Sequence, residues 1–332
     1  MRCLVTGGAG FIGSHLVDEL IEAGHDVAVI DNLSTGKKEN INLKAGFHQL
    51  DICDFDKIKP LFEGVDFVFH LAAIPRVPLS IENPVLTSRV NILGTINVFK
   101  AAADNSCKRV VSASSSSVYG ICDPVNIPTA EWAPIKTEYP YAESKYQGER
   151  WVSHYNKVYG LPTVSLRLFN VYGPRSRTTG AYGAVFGTFL AQKINGKPFT
   201  VVGDGRQSRD FIWVGDVCEA FIKAAESKVV GEVFNVGTGN PQTILRLAEL
   251  LGGEVTHLLK RPGEPDITCA DISKIRQMLN WQSRVSFEEG VKIMLDNIDD
   301  WKDAPVWTPE TIGEATKNWF SLLGKTGGRD IG

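Results

Sequence analysis

The feature that most constrains the fold is a glycine-rich turn at residues 6–13, with the sequence TGGAGFIG. It follows a short apolar run and opens an amphipathic stretch, and Gly8, Gly10 and Gly13 have the spacing G-x-G-x-x-G. Glycines at this spacing allow a tight turn and let the backbone approach a pyrophosphate, which the free N–H groups of the following helix can bind. The pattern therefore predicts a strand–turn–helix unit that begins a dinucleotide-binding domain.

An acidic residue stands where such a domain would bind a ribose. Asp31 ends the second apolar run and follows Gly13 by 18 residues. A carboxylate at that position holds the adenosine ribose hydroxyls and repels a 2′-phosphate. This favours NAD over NADP as the cofactor, although Lys37 and Lys38 lie close by and leave NADP open.

Apolar runs alternate with amphipathic stretches through the first half of the chain. Strands are predicted at residues 3–5, 27–30, 67–71, 109–112 and 163–167, and helices at 14–23, 91–103 and 141–159. Buried strands that alternate with helices indicate an α/β fold, a Rossmann-type doubly wound parallel sheet. Beyond Gly173 the alternation stops, which predicts a smaller mixed α/β C-terminal substrate lobe.

The predicted organisation has four parts. Residues 1–173 are expected to form the NAD-binding Rossmann domain, and residues 174–300 the substrate lobe, from which some strands can return to the main sheet. Residues 301–324 contain Trp301, Trp307 and Trp319 and are predicted to form an appended helix that begins at Pro309. The Gly-rich polar tail, residues 325–332, is expected to be disordered.

Composition excludes several classes of protein. The 332 residues include 43% apolar and 22% charged residues and carry a net charge of −3, which indicates a globular chain and gives no electrostatic case for nucleic acid or anionic membrane. No apolar run is long enough to span a bilayer, and the N-terminus lacks the pattern of a signal peptide. The six cysteines lie far apart and predict neither a metal site nor a disulfide framework, so a cytoplasmic location with reduced thiols is expected.

A candidate catalytic pair lies in the third predicted helix. Tyr141 and Lys145 are four residues apart, so they share one helix face and the ammonium is expected beside the phenol. A nearby cation lowers the pKa of a tyrosine and makes Tyr141 a usable general base. Four serines, residues 114–117, follow the strand predicted at 109–112, at the sheet edge where ligands bind in such folds.

Together these motifs resemble the extended short-chain dehydrogenase/reductase family, in particular its UDP-sugar 4-epimerases. The resemblance covers about residues 1–295 and includes TGGAGFIG, SSSSVYG, YAESK, RLFNVYGPR, GDGRQSRDF and RPGEPDITCAD. It implies that the chain binds NAD and a nucleotide-diphosphate sugar, with a UDP-sugar favoured. It also implies a homodimer, formed by the helices near residues 85–103 and 141–159, and a place in polysaccharide biosynthesis.

The resemblance assigns roles to individual residues. It implies that Ser115, Tyr141 and Lys145 are catalytic. The cofactor-binding residues that it implies are Gly7, Gly10, Phe11, Ile12, Gly13, Asp31, Asn32, Asp51, Ile52, Leu71, Ala72, Ala73 and Asn91, together with Tyr141 and Lys145. The substrate-binding residues that it implies are Ser115, Ser116, Asn170, Arg209, Arg261 and Glu264. Arginine at positions 209 and 261 suits phosphate, which a guanidinium binds through two parallel hydrogen bonds.

Members of this family share a first step, the oxidation of the sugar at C4, and differ in the later steps. The 4,6-dehydratases carry an Asp-Glu pair after the catalytic hydroxyl, and the decarboxylases keep a Glu at the second of these positions; here the two positions are Ser116 and Ser117. A chain without these acids is expected to return the hydride to the opposite face of the 4-keto sugar, which makes it a 4-epimerase. A dehydratase, a UDP-glucuronate decarboxylase and a uronate epimerase remain alternatives, and a non-catalytic NAD-binding sensor is a remote one.

The sequence constrains the identity of the sugar less than it constrains the type of reaction. The residue three before Asp271 gates the pocket in the resembled epimerases, and a small residue there admits an N-acetyl group. Thr268 at this position, together with residues 180–185 and the stretch around Val77 and Pro78, favours UDP-N-acetylhexosamine or another UDP-hexose. Because Arg76 lies next to this stretch, a UDP-uronate remains an alternative substrate.

Overall fold

Thirteen strands and twelve α-helices make up the part of the chain that the computed structural model describes, residues 1–176, 185–260, 264–315 and 317. The strands are β1 Arg2–Thr6, β2 Asp26–Ile30, β3 Gly46–His48, β4 Phe67–His70, β5 Arg109–Ser115, β6 Thr163–Leu168, β7 Asn170–Tyr172, β8 Phe199–Val202, β9 Ser208–Arg209, β10 Phe211–Trp213, β11 Glu232–Val236, β12 Gln242–Thr243 and β13 Val255–Leu258. The helices are α1 Phe11–Glu22, α2 Phe55–Ile58, α3 Val77–Glu82, α4 Pro84–Ser88, α5 Thr95–Asp104, α6 Pro140–Tyr159, α7 Val185–Ile194, α8 Val214–Glu226, α9 Ile244–Leu251, α10 Ser273–Leu279, α11 Phe287–Asp296 and α12 Pro309–Ala315.

Seven strands form one parallel sheet in the order β3-β2-β1-β4-β5-β6-β11, which confirms the predicted Rossmann-type fold. Helices cover both faces of this sheet, so its central strands are buried on both sides; β6, for example, is buried along its whole length, including the polar residues Thr163, Ser165 and Arg167. The order reverses direction between β1 and β4, so the crevice at the carboxyl ends of these two strands is the expected ligand site.

Strand β11 comes from beyond residue 174 and pairs with β6 at the sheet edge. The remaining small sheets join β7 to β10, β9 to β12 and β8 to β13. They pack around a second apolar core that includes Phe186, Phe189, Phe199 and Trp301. Residues beyond 173 therefore contribute both to the main sheet, through β11, and to the separate second core. The division of the chain into two domains at residue 173 stays a prediction.

Local sequence signals account for the end of helix α6 and for the starts of helices α1 and α12. Helix α6 ends where predicted, because Gly160 adopts the left-handed conformation (φ 67°) that terminates helices. Helix α1 begins at Phe11, three residues before the predicted start, because the glycine turn leads directly into it. Helix α12 begins at Pro309 as predicted, whereas the proposed tail, residues 325–332, lies outside the described residues. No helix in the described ranges is long and apolar enough to cross a membrane.

Candidate active site

The glycine turn forms a backbone cradle between β1 and α1. Gly7 has a φ of 77° and donates to the carbonyl of Ile30 at 2.8 Å, and Gly10 donates to the carbonyl of Gly7 at 3.0 Å. A Cβ on Gly13 would lie 2.2 Å from the carbonyl oxygen of Gly7, so no side chain fits there without moving the turn. Phe11 and Ile12 are the first residues of α1, so its N-terminus points into this cradle. The cradle therefore suits a pyrophosphate such as that of NAD.

Asp31 closes the adenosine side of the cradle. Its carboxylate accepts hydrogen bonds from the backbone N–H of Ala9 at 3.0 Å and of Leu33 at 2.8 Å. Burial raises the pKa of Asp31, and these two bonds oppose that change. Lys37 and Lys38 are exposed. The fixed carboxylate is therefore placed to receive ribose hydroxyls, as the sequence predicts for NAD.

Three of the residues predicted to bind the cofactor, Asn32, Asp51 and Ile52, lie together. The amide of Asn32 donates to the carboxylate of Asp51 at 3.3 Å, and Ile52 is buried. The Ile52 carbonyl accepts a hydrogen bond from Asn97 at 3.0 Å. The loop after β4 approaches from the opposite side, where Leu71 and Ala72, followed by Ala73, lie against the end of β1.

A buried chain of hydrogen bonds crosses the sheet beneath this loop. Ala72 N–H donates to the Thr6 hydroxyl at 3.3 Å, and this hydroxyl lies 2.8 Å from Nδ1 of His70. Nε2 of His70 lies 2.9 Å from the hydroxyl of Thr95, which itself donates to the carbonyl of Asn91 at 2.6 Å. Since a carbonyl only accepts, Nε2 must carry the proton and Nδ1 must accept from Thr6. Burial, reinforced by the charge of Lys145, lowers the pKa of His70 to about 3, so the ring is neutral at physiological pH.

Asn91 connects this chain to the catalytic helix. It lies in a π-helical turn, Arg89–Gly94, between α4 and α5. Its side chain binds both the N–H (2.8 Å) and the carbonyl (3.2 Å) of Ile74, and donates to the hydroxyl of Ser144 at 3.0 Å. Ser144 in turn donates to the carbonyl of Tyr141 at 2.7 Å. Hydrogen bonds thus run without a break from the glycine turn to Tyr141.

Ser115, Tyr141 and Lys145 meet at the carboxyl end of β5. Ser115 is the last residue of that strand, and its hydroxyl accepts from the backbone N–H of Ser117 at 3.2 Å. The proton of the hydroxyl is then available for a second partner, and Ser115 forms a side-chain hydrogen bond with Tyr141. Lys145 donates from Nζ to the carbonyl of Ala113 at 2.9 Å, inside the same strand. Strand β5 thus ends at the Ser115 hydroxyl and accepts, two residues earlier, the hydrogen bond of the Lys145 ammonium.

The electrostatics of this group differ from the sequence-based expectation for the phenol. Burial raises the pKa of Tyr141, and the hydrogen bond from Ser115 opposes the rise without outweighing it. Burial also lowers the pKa of Lys145 to about 8, while the carboxylate of Glu149 opposes that drop. Desolvation therefore dominates both groups, because both lie deep between α6 and β5.

A buried ion pair behind Lys145 is a feature that the sequence analysis missed. Glu149 accepts two parallel hydrogen bonds from Arg167 of β6, at 2.8 and 2.7 Å, and one from Ser114 at 2.5 Å. Arg167 also donates to the hydroxyl of Tyr119 at 2.7 Å. The signal was present, since residues 141, 145 and 149 repeat every four positions and so occupy one face of α6.

A cavity of about 410 Å³ opens beside the catalytic group. Its lining includes the predicted substrate residues Ser115, Ser116, Asn170, Arg209 and Glu264, together with Thr268 and Val77, which the sequence linked to the choice of sugar. Tyr139, Phe189 and Ile312 also line it and were not predicted to bind substrate. The structure thus brings five of the six predicted substrate residues to one cavity. The sixth, Arg261, and most of the stretch 180–185 lie outside the described residues.

Charge and polarity concentrate along one side of this cavity. The guanidinium of Arg209 lies 3.9 Å from the carboxylate of Glu264. Thr268, the predicted gate residue, donates to the side-chain oxygen of Asn170 at 3.2 Å and accepts from the N–H of Asp210 at 3.2 Å. The hydroxyl of Thr268 therefore fixes the amide of Asn170, which leaves the amide NH₂ for a ligand.

Asp210 holds the loops that carry these groups. Its fully buried carboxylate accepts hydrogen bonds from the backbone N–H of Thr238 (2.7 Å), Gly239 (3.0 Å) and Ala270 (2.8 Å), and from the Thr238 hydroxyl at 2.6 Å. The neighbouring Arg209 and the segment that contains Thr268 are thereby held in one arrangement. Sequence reasoning singled out the motif that contains Asp210 but gave this residue no role.

The arrangement can bind a dinucleotide at the glycine cradle and a phosphorylated ligand at Arg209, with a phenol and a hydroxyl between them. Comparison with known proteins supports this interpretation of the site. The sequence model of the NAD dependent epimerase/dehydratase family matches residues 3–237, which is well over half of the chain.

Individual relatives are similar over almost the whole chain. A UDP-glucose 4-epimerase of Mycolicibacterium smegmatis is 36% identical over 308 residues, which are 88% of this chain and 96% of that protein. UDP-glucuronic acid decarboxylase 1 of Arabidopsis thaliana is also 36% identical, over 90% of this chain and 69% of its own length.

A solved structure is equally similar. The UDP-N-acetylglucosamine 4-epimerase of Methanobrevibacter ruminantium M1, in complex with UDP-N-acetylmuramic acid, superposes with a TM-score of 0.84 and is 38% identical; the match covers 89% of this chain and 98% of the other. About a tenth of this chain therefore lies outside the match.

Proposed function

The chain belongs to the NAD dependent epimerase/dehydratase family, and on this premise we propose that it is a UDP-sugar 4-epimerase with NAD as its cofactor. The observation that carries the proposal is that Ser115 lines one cavity together with Asn170, Arg209 and Glu264, while Lys145 of the helix that carries Tyr141 donates to the strand that ends at Ser115. When bound, NAD supplies the acceptor that takes the hydride from C4 of the sugar and gives it back.

The residues that hold NAD are those of the cradle. The backbone N–H groups at the start of α1 face the pyrophosphate, and Asp31 receives the ribose hydroxyls. Asn32, Asp51 and Ile52 would contact the adenine; the hydrogen bond between Asn32 and Asp51 and the burial of Ile52 support this assignment. The loop of Leu71, Ala72 and Ala73 and the turn of Asn91 would lie near the reactive end of NAD. Two connections support this assignment: Ala72 is hydrogen-bonded to Thr6, and Asn91 is linked through Ser144 to the backbone carbonyl of Tyr141.

Tyr141 takes the proton of the C4 hydroxyl. Ser115 donates to the sugar oxygen and so stabilises the negative charge that develops there as the proton leaves for the phenolate of Tyr141. Lys145, when protonated, favours the phenolate form of Tyr141 through its charge. After the 4-keto sugar has rotated in the cavity so that its opposite face receives the hydride, Tyr141 returns the proton to the oxygen at C4.

Epimerisation is favoured over elimination because the positions after Ser115 carry no acid. Ser116 and Ser117 line the cavity there, and loss of water from C5 and C6 requires an acid and a base in that place. Two carboxylates, Glu138 and Glu264, are among the described lining residues, and Glu264 pairs with Arg209. UDP-glucuronate decarboxylation is the second candidate, because a decarboxylase is as similar in sequence as an epimerase.

The preferred sugar is proposed to be UDP-N-acetylglucosamine or UDP-glucose. Thr268 is small and its hydroxyl is occupied by Asn170, so the cavity keeps room beside it for an N-acetyl group. Arg76, next to the lining residue Val77, has a buried Nε without a described hydrogen-bond partner, and a uronate carboxylate could pair with it.

A homodimer is proposed from the exposed apolar surface of two helices. Val85 and Leu86 on α4 and Leu93 in the π-helical turn are 77%, 38% and 47% exposed, and Val158 and Tyr159 at the end of α6 are 67% and 57% exposed. Helices α4 and α6 pack against each other, so these side chains can form one face. Sedimentation of wild type and of Leu93→Glu tests this proposal, since a dimer on this face is expected to dissociate in the variant.

We place the enzyme in the cytoplasm, as a supplier of sugar nucleotides for polysaccharide synthesis. All six cysteines are free thiols, which fits a reducing compartment. Fractionation of the source cells with an antibody against the chain tests the location, and an unfavourable result would be recovery in an oxidising compartment.

The function is tested by proton NMR of the sugar. Purified protein is incubated with UDP-N-acetylglucosamine, UDP-glucose or UDP-glucuronate, without added NAD. Appearance of the C4 epimer without net NADH supports the proposal and ranks the substrates. A 4-keto-6-deoxy product, or a pentose with release of carbon dioxide, would replace it with the dehydratase or the decarboxylase. Absence of turnover by wild type, with binding of UDP intact, would indicate a different sugar.

A further inference from the structure

The segment of residues 301–315, here called the strap, lies beyond the family resemblance, which ends near residue 295. The strap begins at Trp301, which is fully buried in the second core together with Phe189 and Phe199. Ala304, one turn later, is 8% exposed and belongs to the same core. An indole buried to this degree anchors the segment firmly, since loss of such a side chain costs several kcal/mol in typical cores. The strap is therefore an integral part of this core.

A buried glutamine fixes the middle of the strap. The side-chain amide of Gln192, in α7, donates to the carbonyl of Trp307 at 2.8 Å and to the hydroxyl of Thr200 at 2.8 Å. Its oxygen accepts from the backbone N–H of Thr200 at 3.1 Å. Gln192 is completely buried, and all of these bonds lie in the part of the core between α7 and β8. The strap is thus tied to the two elements that form the far wall of the cavity.

The last part of the strap reaches the cavity itself. Helix α12 starts with a reciprocal pair of hydrogen bonds, in which Thr308 N–H donates to the Thr311 hydroxyl at 2.9 Å and Thr311 N–H to the Thr308 hydroxyl at 3.3 Å. Ile312 follows Thr311 directly; it is 6% exposed and lines the cavity. Phe189 of α7 and Thr200 of β8 line the same cavity.

We propose that Ile312 is a binding residue for the nucleoside half of the substrate and packs against a face of the uracil ring. This inference rests on the proposed function. The sugar must lie at Ser115 and Tyr141 and the diphosphate at Arg209, so the nucleoside is left with the apolar wall made by Phe189, Val202 and Ile312. The faces of a pyrimidine ring are apolar, and aliphatic and aromatic side chains provide the matching surface.

The test measures binding of UDP by calorimetry, which does not depend on turnover. Ile312→Ala removes the contact and is expected to weaken UDP binding about tenfold, as loss of a few methylene groups from an apolar subsite does. KM for the UDP-sugar should rise to a similar extent while kcat stays within about twofold, because the sugar end of the cavity is untouched. Glu314→Ala, an exposed residue of the same helix, is the matched control and should bind UDP as wild type does.

A second measurement needs no destabilising substitution. In wild type labelled with ¹³C at isoleucine δ1 methyls, the Ile312 signal is identified by its absence in Ile312→Leu. Nuclear Overhauser contacts between this methyl and the H5 and H6 protons of UDP are expected, and their absence at saturating UDP would overturn the inference.

The remaining outcomes separate the inference from the proposed function. If wild type binds UDP but epimerises none of the sugars, the proposed function is wrong, whereas the contact between Ile312 and UDP can still be detected by NMR. If Ile312→Ala folds and binds UDP as wild type does, the inference fails and the epimerase stands. If UDP binding is unchanged but the preference between UDP-glucose and UDP-N-acetylglucosamine shifts, Ile312 contacts the sugar and the nucleoside assignment is wrong.

Discussion

Arg167 and Glu149 form a bidentate ion pair whose two side chains are 5% and 4% exposed. It joins β6 to the catalytic helix α6, and it places a carboxylate where its charge supports the protonated form of Lys145. Burial opposes the charge of Arg167, but the hydrogen bonds and charge of Glu149 outweigh it and hold the pKa of Arg167 above its ordinary value. The same pair therefore serves the fold and the electrostatics of the site.

Removing one partner of this pair should destabilise the protein strongly. Glu149→Gln leaves the guanidinium of Arg167 buried with a neutral partner, and breaking buried pairs of this kind typically costs about 3–5 kcal/mol. Urea denaturation at pH 7 measures the loss, and Glu249→Gln, whose ion pair with Arg246 is largely exposed, serves as the control with an unchanged midpoint. A midpoint in Glu149→Gln equal to that of wild type would show that the pair contributes nothing.

The structural features that could be predicted from the sequence are those encoded by a few adjacent residues. The turn at Gly7 to Gly13 and the end of α6 at Gly160 depend on a few adjacent residues, and both were placed from sequence. Strands as short as β9 and β12 were not, because two residues carry no periodicity and their pairing of Ser208 with Thr243 joins distant segments. The partner of Glu149 was missed for the same reason, since Arg167 is recognisable as its partner only after β6 is placed beside α6.

The hydrogen-bond chain through His70 is expected to act on the reaction and not only on stability. His70→Phe fills the ring volume but removes the bonds to Thr6 and Thr95, so the glycine turn and the helix of Tyr141 lose their connection. We expect kcat to fall at least tenfold with a smaller change in KM, and His70→Gln, which keeps one donor and one acceptor, to restore most of the rate. Equal rates in the Phe and Gln variants would show that the chain does not position the site.

The low pKa of His70 also predicts how stability depends on pH. The ring has a pKa of about 3 when folded and an ordinary value of 6.5 when unfolded, so the unfolded chain binds more protons between these limits. The free energy of unfolding should therefore fall as pH drops from 6.5 toward 3, with the contribution of His70 fully present above 6.5. Urea denaturation at pH 7.0, 5.5 and 4.5 should show a shallower fall in His70→Gln than in wild type. Parallel curves for the two proteins would contradict a buried neutral histidine.

Lys145 should change stability in the same direction as His70 but in the alkaline range. Its pKa falls from 10.5 to about 8 on folding, so between these values the unfolded chain again holds more protons and stability attributable to Lys145 rises with pH. Catalysis should move the other way, because the ammonium that favours the phenolate of Tyr141 is lost above about pH 8. We expect kcat to decline above that pH in wild type and the decline to vanish, on a much lower rate, in Lys145→Met. A wild-type kcat that keeps rising to pH 10 would exclude this role for the lysine charge.

The glycine cradle gives the sharpest test of cofactor binding. Gly13→Ala places a Cβ 2.2 Å from the carbonyl oxygen of Gly7, so the turn must open and the backbone donors at the start of α1 are displaced. The variant is expected to be purified without NAD and to lose at least a hundredfold in affinity for added NAD, measured by calorimetry. Gly148→Ala is the matched control, because a Cβ on this glycine of α6 has no described atom within 4 Å and alanine favours helix by about 0.5–1 kcal/mol. That control should retain NAD and unfold at a slightly higher temperature, and retention of NAD by Gly13→Ala as well would mean that the pyrophosphate does not lie in this turn.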